Sequence, residues 1–112
     1  MKKFILISIF IALPTVSFAH ADHAPKVATC VSKECVQDEI KSAVPKAVEI
    51  LVAKGKIEGS WSAAMVEKIE QRTFKKGPEW VAILVDEKQQ KKRLYIFITL
   101  KGYLNGANFT GE

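Results

Sequence analysis

A chain of 112 residues with 48% apolar residues and a formal net charge of +5 is long enough for one modest core and too short for two domains. Its two histidines, His20 and His23, both lie near the start, which excludes a histidine triad or a histidine general base in the rest of the chain. No glycine-rich phosphate loop is present, and Ser60, Ser62, Thr73 and Thr99 have no recognisable activating partner, so the chain reads as a non-enzyme with no catalytic residues.

Lys2 and Lys3 precede an apolar run, Phe4 to Leu13, interrupted only by Ser8. Pro14 ends the run, and small residues follow at Ser17, Ala19 and Ala21. This is the layout of a secretory signal peptide over residues 1–21, with an apolar core roughly half the length needed to span a bilayer. Cleavage is expected after Ala19, which Pro14 slightly favours, or after Ala21. The dilysine start points to a bacterial protein, periplasmic after cleavage, or secreted where there is no outer membrane. Loss of Lys2 and Lys3 lowers the formal charge from +5 to +3. Outside the cytoplasm nucleic acid is not an expected partner. No later apolar stretch is long enough for a transmembrane segment.

Residues 22–34 read as a flexible N-terminal segment, small and polar with Pro25, and residues 35–112 as a single α+β domain. Val36, Ile40, Val44, Val48 and Leu51 form one helical stripe, widened by Ala43, Ala47 and Val52. Ser32 is the expected N-cap, with Glu34, Asp38 and Glu39 near the positive end of the helix dipole. Lys54-Gly55-Lys56 supplies the stop. Pro45 lies inside the stripe, where it removes a backbone hydrogen bond at a cost of about 3 kcal/mol. The segment is therefore one Pro-kinked helix, or two helices with the second starting near Pro45.

After Gly59 the period changes. Met65 to Phe74 is the first expected strand, and Lys76-Gly77-Pro78 a turn. Glu79 to Val85 and Arg93 to Leu100 are strong strands, rich in β-branched and aromatic residues, joined by a charged loop from Asp86 to Lys92. Tyr103 to Phe109 is the fourth. Short links predict a four-stranded antiparallel meander with the helix across one face. Lys88, Lys91, Lys92 and Arg93 read as a solvated hairpin tip, the other reading being an anion or membrane-surface contact.

Both faces of the central strands are apolar, unlike a half-exposed sheet. Trp80, Ala82 and Leu84 oppose Val81, Ile83 and Val85; Leu94, Ile96 and Ile98 oppose Tyr95 and Phe97. One helix covers only one face. Either Trp61, Met65 and the N-terminal segment cover the other, or it meets a ligand, a partner or a second copy in a homodimer. Val81, Ile83, Val85, Tyr95 and Phe97 form the candidate ligand or partner surface. A polar substitution on an exposed face, such as Phe97→Ser, is expected to weaken association and spare the fold.

Several stretches carry a resemblance. Lys54-Gly55-Lys56-Ile57 running into Ser60-Trp61, Thr73-Phe74, Lys76 to Val81, Leu94-Tyr95-Ile96-Phe97 and Ala107 to Gly111 resemble a family of small exported bacterial proteins of unknown function. The likeness covers about residues 45–112. Members often carry a His-rich stretch after the signal peptide; here that position holds only His20 and His23, with Cys30 and Cys35 added. A helix before an antiparallel meander is also similar in topology to PepSY domains, small extracytoplasmic modules thought to modulate peptidases.

Two cysteines in an oxidising compartment are expected to pair. Five residues along an α-helix separate Cα atoms by roughly 8–9 Å, whereas a disulfide needs less than about 7 Å. A Cys30–Cys35 bridge therefore keeps at least one of these residues out of the regular helix. The spacing is not C-x-x-C, which disfavours a redox pair. His20 and His23, with Asp22 or the cysteines, are the candidate ligands for Cu or Zn; the alternative is a solvated tail with no cofactor. The leading function is an exported, non-catalytic binding or modulator module for a protein, peptide or small ligand. The alternative is an extracytoplasmic metal-binding or metal-responsive protein using the N-terminal His/Cys segment.

Overall fold

A computed structural model describes residues 24–86, 88 and 92–112. The expected signal peptide, His20, His23 and Lys91 lie outside the described residues. The element order is helix α1 (Gln37–Ala53), a 3-10 helix (Gly59–Ala63), then strands β1 (Met65–Phe74), β2 (Gly77–Val85), β3 (Arg93–Thr99) and β4 (Leu104–Asn108). The strands form one antiparallel sheet in the order β1-β2-β3-β4. This is the expected α+β meander.

Helix α1 is continuous through Pro45. Pro45 lies on the exposed side, where water can solvate the Lys41 carbonyl that proline leaves without a helical donor. Ile40, Ala43, Val44, Ala47, Val48 and Leu51 are buried against the sheet. Val36, expected in that stripe, is instead the N-cap and 56% exposed. Ser32 is not the cap: Glu39 accepts the Val36 N–H at 2.8 Å and so takes up an orphan donor of the first turn. At the other end Gly55, at φ 72°, closes a Schellman motif. Its N–H donates to Val52 O, and Lys56 N–H donates to Leu51 O.

Lys75 and Lys76 form the first hairpin turn, while Gly77 and Pro78 lie within β2. Pro78 is tolerated because β3 begins pairing only at Glu79, leaving no ladder bond on that side for it to break. β1 carries a bulge at Glu67, between the Val66–Leu84 and Lys68–Ile83 pairs. The main core lies between α1 and the face bearing Trp80, Ala82, Leu84, Leu94, Ile96 and Ile98. Trp61, 1% exposed, closes one side of it.

The part of the N-terminal segment that is described is not a loose lead-in. Val27 and Ala28 are buried, and both their N–H groups donate to Gly102 O. Lys26 bridges Tyr103, and Pro25 O accepts the Leu104 N–H. The segment thus lies along the start of β4, which satisfies backbone groups that an edge strand otherwise leaves to solvent. Composition hid this, because the docking is carried by backbone bonds and two small side chains.

Candidate functional site

The second sheet face is covered by the chain itself, by residues other than those expected. Val81, Ile83 and Phe97 are buried at 0, 6 and 8% exposure, with Phe74 and Tyr95 packed beside them. Val85 and Tyr95 are half-buried. The open apolar patch expected of these five residues is therefore absent. Trp61 and residues 27–28 belong to the helix-side core, and Met65 is 67% exposed.

The cover is built from long charged side chains and a chain turn. Lys68, Glu70 and Arg72 pair with Ile83, Val81 and Glu79, which puts them on the second face. Their aliphatic stems shield apolar neighbours while their heads stay in water. Glu70 binds both Lys68 and Arg72, and these contacts, Arg72 first, hold its carboxyl below the usual range. Arg93 donates a two-pronged pair of bonds to Glu67, at 2.7 and 3.0 Å, across β2. This lowers the Glu67 pKa and raises that of Arg93. The Arg72 guanidinium stacks over Tyr95, 5.6 Å from the ring centroid, and donates to Gly111 O. Asn108 Oδ1 accepts the N–H groups of Thr110 and Gly111, folding the chain back onto the Tyr95 ring.

Beside this cover lies a concavity of about 380 Å³. Phe74 and Phe97 meet edge to face within its lining, with ring centroids 5.6 Å apart. Gly106 pairs with Phe97, and a Cβ there would meet nothing within 4 Å, so the missing side chain leaves the space open. Lys75 and Lys76 stand at the rim, and Asn105 Nδ2 donates to Glu79 Oε2 at 2.8 Å. Phe97 alone was legible as a candidate. Phe74, Glu79 and Asn105 were not, because they converge only once the hairpin and β4 are in register.

A larger groove of about 890 Å³ runs between α1 and the Trp61–Val66 stretch, lined by Val44, Val48, Val52, Trp61, Val66 and Leu84. Its lining is mainly aliphatic. The polar groups beside it belong to the outer surface of α1 and to Ser62. The Trp80 indole N–H is buried with no acceptor among the described residues, and its side chain belongs to the helix-side core.

Cys30 and Cys35 form the expected disulfide, with Cα atoms 4.5 Å apart and both residues ahead of α1. Glu39 closes over the same loop. Its carboxylate accepts the Val31 and Val36 N–H groups, Val36 the stronger of the two, and this lowers its pKa. The two sulfurs and a Glu39 oxygen lie within 4.8 Å of one another. His20 and His23, the expected metal ligands, lie outside the described residues.

Comparison with curated proteins and with solved structures finds no match. A family model described as a family of unknown function, DUF6488, matches residues 1–112, extending the likeness read over 45–112 to the whole chain. The chain belongs to this family of unknown function.

Proposed function

We propose that the chain is an exported, non-catalytic binding module that seats a small amphipathic ligand in the Phe74–Phe97 pocket. One observation carries this reading. An aromatic pair and polar residues of both charges, Lys75, Lys76, Glu79, Asn105, Asn108 and Glu112, converge on one cavity. Its volume of about 380 Å³ falls in the ordinary range for small-molecule sites. The aromatic rings would take the apolar body of the ligand, and the lysines and the Glu79–Asn105 pair its polar groups. The reading is non-catalytic because both histidines precede the domain and no other general base with an activated nucleophile is recognisable. Export rests on the pattern of residues 1–21 and agrees with the disulfide. No described helix is long and apolar enough to cross a membrane.

A fragment library of aromatic acids and amphipathic amides, titrated against the processed, isotope-labelled chain, tests the site. The expected result is a set of fragments that shift the amide resonances of Phe97, Asn105 and Gly106, and whose effect Phe74→Ala removes. Shifts confined to Val48, Trp61 and Val66 would move the site to the α1 groove. No shifts at all would defeat the reading.

A further inference from the structure

We propose that Cys30, Cys35 and Glu39 form a metal site that opens when the Cys30–Cys35 bond is reduced, and that it takes a divalent ion of the zinc class. The three donor atoms already lie within 4.8 Å of one another. In a tetrahedral zinc site, sulfurs about 2.3 Å from the ion stand about 3.8 Å apart. Once the bond is broken, rotation of the two side chains suffices to reach that spacing.

Hydrogen bonds hold the backbone around the bond as well. Val27 and Ala28 donate to Gly102 O, and Cys35 N–H donates to Leu100 O at 2.8 Å. The residues just before Cys30, and Cys35 itself, are thus pinned to the same 100–102 turn by bonds that survive reduction. Glu39 adds a third tie, accepting the N–H of Val31 between the cysteines and of Val36 just after them. Each of its oxygens accepts one N–H in this arrangement and keeps a lone pair for an ion. The dithiol form is therefore preorganised rather than loose. Cys30 and Glu39 are half-buried while Cys35 is buried, so the site borders the surface on the side of Cys30 and Glu39. Two thiolates and a carboxylate suit a borderline ion such as Zn²⁺ over Mg²⁺ or Ca²⁺, which prefer all-oxygen sites.

A dithiol reductant gives two electrons and two protons to the S–S bond and leaves as its own disulfide, producing two thiols. The ion displaces both thiol protons to solvent and binds two sulfurs and one Glu39 oxygen. Water fills the fourth position.

The test uses the processed chain, oxidised or reduced with a phosphine, and Co²⁺ as the probe. The reduced chain is expected to bind one Co²⁺ with a thiolate-to-cobalt charge-transfer band. The oxidised chain and the Cys30→Ser/Cys35→Ser variant are expected to show no such band. Glu39→Gln should weaken binding about tenfold or more with unchanged far-ultraviolet circular dichroism, and His20→Ala/His23→Ala should retain it. The proposal is overturned by equal binding to the oxidised chain or the serine variant, by no effect of Glu39→Gln, or by loss of binding in the histidine variant. It is equally overturned if the reduced chain shows no charge-transfer band or loses its fold, since the site requires a dithiol form that stays in place.

Discussion

At Gly102 the missing side chain lets residues 25–28 dock. A Cβ there would stand 2.4 Å from Ala28 O, and the residue sits at φ +97°. Gly102→Ala is expected to lower stability by about 2–3 kcal/mol, from backbone strain and a displaced segment together. Gly59→Ala is the control: its Cβ would meet nothing within 4 Å, and a change within about 0.5 kcal/mol is expected. Urea denaturation of the two variants checks both. The carboxylates on the second face set a pH dependence. Glu67 and Glu70 are held below their ordinary value of 4.5 by Arg93 and by Arg72 with Lys68. A depressed folded pKa contributes stability that is full above the unfolded value and is lost as pH falls through the folded one. Denaturation midpoints should therefore be level from pH 7 to about 5 with respect to these groups and fall below pH 4.5. Glu67→Gln with Glu70→Gln should flatten that fall; an unchanged slope would show that these pairs do not couple to folding.

Among the elements, the strands were the most legible. The boundaries of β1 agree with the sequence reading, and those of β2, β3 and β4 differ by one or two residues. Two-residue alternation and turn residues are short-range signals, read within a single hairpin. The start of α1 was misjudged because capping came from Glu39, three residues into the chain after Val36, rather than from a side chain at the expected cap. The burial of Val81, Ile83 and Phe97 reverses the expectation for Phe97→Ser. The substitution removes a ring from a packed cluster and leaves a hydroxyl there. It should cost roughly 3 kcal/mol or more of stability, which thermal melting will show, instead of sparing the fold and weakening association. A melting temperature close to that of the parent chain would mean that the cluster is not packed in solution.

For the whole molecule, export predicts a definite product. Intact-mass measurement on protein from the extracytoplasmic fraction should show a chain beginning at His20 or Asp22, two hydrogens lighter than the dithiol form. Retention of Met1 there would defeat the reading of residues 1–21. The sequence by itself determined the α+β class, the meander, most of the buried stripe of α1 and the pairing of Cys30 with Cys35, but not which sheet face α1 covers. Each follows from local period, from turn chemistry or, for the cysteines, from there being only two in the chain. Only the tertiary structure decided what covers the second face and where residues 24–35 lie. Arg72 and Gly111 are 39 residues apart, and Cys30 and Leu100 are 70 apart. Contacts at that range depend on which edges and ends the folded sheet brings together. The stem of a charged side chain covering apolar surface leaves no mark in a hydrophobic pattern. The Phe74–Phe97 pocket is decided at the same level, since its lining comes from β1, the first hairpin, β2, β3, β4 and the chain beyond.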